Sequence, residues 1–91
     1  MKNNGCIVCY FNLFTANQSV VLCNDDGLHE LGSYPTSEIA KALAELCEQY
    51  DVDVVRLIGD HTYLDRIADR IQEAPATYGL ENIKKIKTEI Y

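Results

Sequence analysis

The hydrophobic pattern at the start of the chain predicts a hairpin of two strands. Residues 6–14, CIVCYFNLF, are apolar at both alternating positions, which is typical of a strand covered on both faces and therefore central in its sheet. A polar stretch at 15–18 separates it from a second strand at 19–24. So short a connection predicts that the two strands run antiparallel.

A third, shorter strand is predicted after the Asp25-Asp26-Gly27 turn. Gly32 and Pro35 interrupt its pattern, so we expect the strand to stop there and to lie at an edge of the sheet.

Two amphipathic helices follow. The first begins near Pro35, and its apolar stripe recurs at helical spacing: Ile39, Leu43, Leu46, Cys47 and Tyr50. The second runs from about residue 61 to residue 74, where Pro75 stops it, and its stripe contains Tyr63, Leu64, Ile67, Ile71 and Ala74. Between them, VDVVRLIG predicts a buried strand parallel to the central one, because a helix connects it to its neighbour.

The tail, IKKIKTEIY at 83–91, fits two structures. Leu80, Ile83, Ile86 and Ile90 suit a helix, whereas Ile86, Thr88 and Ile90 suit a strand. We favour the strand, because a helix would leave the preceding parallel strand as a bare edge.

The resulting order is β-β-β-α-β-α-β, an α/β (α+β) chain with one mixed sheet and helices packed on it. This order resembles the ribonuclease H-like fold over nearly the whole chain. The local match is VRLIGDHTYLDRIADRI at 55–71, which is similar to the fourth strand of that family, ending in Asp and leading into a helix.

The resemblance implies a site of clustered carboxylates that hold two divalent metals. Asp60 matches the acid at the end of the fourth strand, and Glu38 or Glu45 matches the acid on the first helix. The first strand, however, offers Asn12 in place of the bridging carboxylate, and a neutral amide is a poor substitute. We therefore expect no metal or other cofactor, and we interpret Asp60 as a helix N-cap, worth ~1 kcal/mol.

Length and composition indicate one globular domain spanning residues 1–91, with 47% hydrophobic and 24% charged residues. No apolar stretch approaches the ~20 residues of a membrane span. The first residues also lack the small-residue cleavage site of a secretory signal. We expect a cytoplasmic protein with no membrane contact.

The four cysteines include one C-x-x-C, formed by Cys6 and Cys9. Residues three apart on a strand point to opposite faces, so this pair cannot grip one metal without a bend. We interpret the cysteines as buried apolar residues.

The net charge is −6, which disfavours direct binding of nucleic acid. Acids concentrate in the middle of the chain, and five of them are our predicted binding face: Asp25, Asp26, Glu38, Glu45 and Glu48. The sequence therefore favours a non-catalytic protein–protein interaction module that meets a basic surface on a partner. Small acidic proteins of phages and mobile elements share this composition.

Because the edge strands of the sheet are exposed, the sequence also predicts that a homodimer can form through one sheet edge. The alternative function is a metal-dependent, nuclease-like protein that uses Asp60 with Glu38 or Glu45.

Overall fold

The computed structural model describes residues 5–12, 14–59, 61–77 and 86–91, with the backbone alone at 61, 62 and 74–77. The elements in chain order are β1 (Cys6–Phe11), β2 (Asn17–Asn24), β3 (Gly27–Pro35), a short 3-10 turn (Thr36–Glu38), α1 (Ile39–Tyr50), β4 (Val54–Gly59), α2 (His61–Thr77) and β5 (Lys87–Ile90). The predicted order of strands and helices is confirmed.

The strands form one mixed sheet in the order β3-β2-β1-β4-β5. β1 pairs antiparallel with β2 and parallel with β4, so it is the central strand, as its apolar pattern predicts. β3 lies at one edge, also as predicted, and pairs antiparallel with β2. The predicted strand is confirmed at the end of the tail, where β5 pairs in parallel with β4 along the edge that a helix would have left unpaired. Residues 83–85 of the tail lie outside the described residues.

Both helices pack on the same face of the sheet. Alternate residues of β1, namely Ile7, Cys9 and Phe11, join one core with the stripes of α1 and α2. The residues between them, Val8 and Tyr10 among these, point to the opposite face, which neither α1 nor α2 covers. There Tyr10 is 46% exposed, because only neighbouring strand side chains shield it.

The predicted stripe of α1 is confirmed: Ile39, Leu43, Leu46 and Cys47 are buried, and Tyr50 packs partly buried against the same core. The helix ends at Tyr50, and the next residue, Asp51, takes a left-handed backbone conformation (φ 54°). The amide of Val52 then donates to the carbonyl of Cys47 at 3.0 Å and satisfies one of the last carbonyl groups of the helix.

Several predicted strand boundaries are wrong. β1 ends at Phe11 rather than at residue 14, and β2 begins at Asn17 rather than at residue 19. β3 continues past Gly32, which takes a positive φ of 128° beside a register shift opposite Val20 and Val21. Because glycine accepts this conformation, Gly32 supports a β-bulge within the strand instead of stopping it.

The second helix differs from its prediction in two respects. It continues through Pro75 to Thr77 rather than stopping before the proline. Tyr63 is 41% exposed rather than buried, whereas Leu64, Ile67 and Ile71 are buried as predicted. In the described part of the chain, neither helix combines the length and the apolar character needed to cross a membrane.

Candidate functional site

One end of the sheet brings together the ends of several elements. β1 and β4 finish side by side there, with Phe11 paired to Gly59. The turn before α1 reaches the same end, because the amide of Thr36 donates to the carbonyl of Ala16 at 2.9 Å. In open α/β sheets, ligands bind outside the carboxyl ends of the strands. We name this region the strand-end site.

A buried glutamine holds the strand-end site together. The Gln18 side chain is only 1% exposed although it is polar. Its Oε1 accepts from the amide of Asn12 at 2.7 Å. Its Nε2 donates to the carbonyls of Asn12 (3.0 Å) and Thr15 (3.2 Å) and to Oγ1 of Thr36 (2.9 Å). One side chain therefore fixes the β1–β2 connection to the turn before α1.

A pocket of about 270 Å³ opens beside this hydrogen-bond network. Apolar and polar groups share its lining: Phe11, Asn12, Thr15, Gln18, Thr36, Tyr63, Arg66, Ile67 and Arg70. None of the described lining residues is acidic. The described lining therefore carries two arginines and no acid, although the chain as a whole has a net charge of −6.

Arg66 and Arg70 form one wall of this pocket. They lie four residues apart on α2, so both project from the same face of the helix. Both are exposed, and neither has an ion-pair partner within the ranges that the structure describes. A pair of guanidinium groups suits an oxyanion, because the planar N–H fork matches carboxylate and phosphate oxygens.

The side chain of Asn12 adds a neutral donor to the pocket. Its Oδ1 accepts from the amide of Phe14 at 2.9 Å, which closes a small turn after β1. Among the described residues, the amide NH₂ group of Asn12 has no acceptor, so it can donate to a bound oxygen. The exposed Tyr63 supplies a phenol at the same pocket.

The predicted metal ligands are not assembled among the described residues. Asp60 lies outside those residues, so its role as metal ligand or as helix cap stays a prediction. Glu38 ends the turn before α1, at the strand-end site, with an exposed side chain. Glu45 lies two helical turns away, about 10 Å along α1. In the part of the chain that is described, no three side chains of metal-binding type come together.

The five acids of the predicted binding face occupy two separate places. Glu45 and Glu48 are exposed on α1, about 60° apart around the helix axis, and Glu38 is exposed at the end of the turn that precedes α1. Asp25 and Asp26 are exposed in the turn between β2 and β3. That turn lies at the amino end of β1, opposite the strand-end site, because β2 is antiparallel to β1.

Sequence reasoning missed the residues that build the pocket. The four-residue spacing of Arg66 and Arg70 is visible in the sequence, but it predicts only a solvated helix face. Gln18 gives no sequence signal either, because it falls in a polar stretch that is typical of a turn. The arginine pair and Gln18 are recognised as pocket residues only once α2 is seen to pack beside the β1–β2 connection.

The fold and the comparisons together define the class: this is a small α/β domain with a ribonuclease H-like fold. No protein-family model matches the sequence, and no curated protein matches it. Among solved structures, the chain is similar to a mutant nuclease domain of the large terminase subunit gp2 of bacterial virus Sf6, solved with manganese and beta-thujaplicinol.

That likeness has a TM-score of 0.63 at 14% sequence identity. It covers 99% of this chain but only 38% of the terminase chain. The predicted resemblance to the ribonuclease H-like fold is therefore confirmed at the level of the fold.

Proposed function

We propose that this domain is a non-catalytic binding module that recognises a protein partner through the strand-end site. The observation that supports this proposal is the pair of arginines in the described lining of the pocket, which includes no acid. Residues 6–12 also contain no acid where the resemblance calls for a bridging carboxylate. A cationic wall repels divalent metal ions and attracts anions.

The group received by the pocket is a carboxylate or phosphate carried by the partner. Arg66 and Arg70 supply charge-assisted hydrogen bonds, and the amide of Asn12 supplies a neutral one. The volume of about 270 Å³ lies just below the range of ~300–1,000 Å³ typical of drug-sized ligands. One anionic side chain or phosphate group suits this space better than a large cofactor.

The exposed acids Glu38, just before α1, and Glu45 and Glu48, on α1, support a partner that carries basic groups beside its anionic anchor. Asp25 and Asp26 form a second acidic surface at the opposite end of β1. Exposed charges of this kind raise the rate of association more than the affinity. A homodimer through the edge strands β3 or β5 remains a further proposal.

Thermal unfolding with inorganic phosphate tests the pocket. We expect millimolar phosphate to raise the melting temperature of the wild type. At a phosphate concentration 100 times the dissociation constant, the free energy of unfolding rises by ~2.7 kcal/mol. Arg66→Gln combined with Arg70→Gln should abolish this rise. Arg56→Gln is the matched control, because Arg56 is exposed on the sheet face opposite the helices, far from the pocket.

Phosphate also stabilises proteins nonspecifically, by exclusion from their surface. The double variant and the control separate the two effects, since exclusion acts equally on all three proteins. An equal rise in the double variant would refute anion binding at the strand-end site. Acetate, titrated in parallel, distinguishes a preference for carboxylate from one for phosphate.

The alternative, a metal-dependent nuclease-like protein, is favoured by one observation: the similar terminase domain is a nuclease domain. Manganese in the same unfolding assay discriminates the two functions. A rise in melting temperature that Asp60→Asn abolishes, and that the control Asp65→Asn retains, would overturn the non-catalytic proposal. Unchanged melting in manganese would leave the anion-binding function as the better explanation.

A further inference from the structure

Two cysteines face each other across neighbouring strands. In the antiparallel register of β1 and β2, Cys6 lies directly opposite Cys23. Directly opposed residues project from the same face, with Cβ atoms ~4.5–5.5 Å apart. A disulfide needs a Cβ separation of ~3.5–4.5 Å, so a small adjustment of the strands brings this pair within bonding range.

One member of this pair, Cys23, is partly exposed, unlike Cys9 and Cys47. Cys6 and Cys23 lie on the sheet face opposite the helices, where they line a groove of about 350 Å³. Cys23 is partly exposed, and Cys6 beside it is 6% exposed. Cys9 and Cys47 instead lie in the core beneath the helices, where they are 0% and 1% exposed.

The electrostatic surroundings also separate the two sets of thiols. Burial raises the pKa of the Cys6 thiol, but the guanidinium of Arg56 opposes this rise. Burial raises the pKa of Cys9 to about 12, and burial aided by the carboxylate of Asp53 raises the pKa of Cys47 to about 12. Since the thiolate is the reacting form, Cys9 and Cys47 are inert at neutral pH.

We infer that Cys6 and Cys23 are a dithiol modification site, which closes reversibly to a disulfide by exchange with a small-molecule disulfide such as glutathione disulfide. The thiolate of Cys23, the more exposed of the two, attacks one sulfur of the reagent and expels one glutathione thiolate. The thiolate of Cys6 then attacks the Cys23 sulfur of the mixed disulfide and expels the second.

The exchange balances without a further oxidant. One protein disulfide forms, and the glutathione disulfide is reduced to two thiols. The two protons released by the cysteines are taken up by the leaving thiolates. The product ties β1 to β2 at the end opposite the strand-end site, so this site is independent of the proposed pocket.

The test is incubation of the folded protein with glutathione disulfide, followed by quenching in acid, alkylation and peptide mapping by mass spectrometry. We expect a Cys6–Cys23 disulfide as the main product, with Cys9 and Cys47 alkylated only after unfolding. Dithiothreitol should restore both thiols. The bridged protein should also melt at a higher temperature than the reduced protein, because the bridge restricts the unfolded chain.

Two variants sharpen the result. Cys23→Ala should give no bridged product, whereas the control Cys47→Ala should bridge as efficiently as the wild type. A stable mixed disulfide at Cys23 without closure would overturn the inference. So would a bridge between Cys6 and Cys9, or an absence of reaction in a wild type whose unfolded form reacts readily. The wild-type map decides the question even if Cys23→Ala fails to fold.

Discussion

Replacement of Gln18 by leucine tests whether the buried amide holds the strand-end site together. The substitution nearly preserves volume while it removes all polar atoms of a side chain that is 1% exposed. The hydrogen bonds that the side chain makes to Asn12, Thr15 and Thr36 are lost together. The β1–β2 connection then keeps only its main-chain and hydroxyl contacts to the turn before α1.

The cost follows from which partners lose their hydrogen bond. The amide N–H of Asn12, held at 2.7 Å by Gln18, has no other acceptor among the described residues and costs ~1–3 kcal/mol when left unpaired. The carbonyl of Asn12 keeps Thr15 as a donor, and Oγ1 of Thr36 keeps its bond to Ala16. The apolar side chain of leucine, packed in the same space, offsets part of the loss. We expect a net destabilisation of about 2 kcal/mol.

Urea unfolding at 25 °C measures this free energy of unfolding directly. For a domain of this size, 2 kcal/mol also corresponds to a fall in melting temperature of roughly 8–16 °C. Gln49→Leu is the matched control, since Gln49 is exposed on α1 and should change stability by no more than ~0.5 kcal/mol. If Gln18→Leu falls within the range of this control, the structural role assigned to Gln18 is wrong.

Two further predictions concern the backbone and the buried thiols. At Gly59 (φ 145°) an added Cβ would overlap the carbonyl of Phe11, so Gly59→Ala should lower the urea midpoint far more than Gly27→Ala, where nothing lies within 4 Å of an added Cβ. The pKa of about 12 at Cys9 and Cys47 exceeds the ~8.5 of an unfolded thiol, so their contribution to stability is complete below pH ~8.5 and is lost as the pH rises towards 12. The urea midpoint should therefore fall over this alkaline range, and less steeply in Cys9→Ala combined with Cys47→Ala; equal slopes would refute the assignment.

Local patterns in the sequence were enough to establish the order and type of the elements. The run at 6–14 is largely apolar on both alternating faces, which favours a central strand. Helical spacing in α1 identified the buried residues correctly, because the 3.6-residue period is a local property of the chain. The tail was also predictable as β5, since an open parallel edge is unfavourable.

Other features depended on packing between distant segments. Gly32 has the sequence character of a strand terminator, but pairing with β2 converts it into a bulge. Tyr63 falls on the apolar stripe, but the rotation of α2 turns it towards the pocket. The rotation of a helix about its axis is set by what it packs against, and a periodic stripe fixes it only approximately.

The two candidate sites also depend on packing between distant segments and not on local sequence motifs. The C-x-x-C of Cys6 and Cys9 is visible in the sequence, yet its members lie on opposite faces of β1, and Cys23 is the residue that faces Cys6. Arg66 and Gln18 likewise line one pocket only because α2 packs beside the β1–β2 connection. Strand register and helix packing are non-local, since each depends on the burial of side chains from both partners. For this reason the elements follow from the local sequence, whereas the grouping of side chains into sites follows from the packed fold.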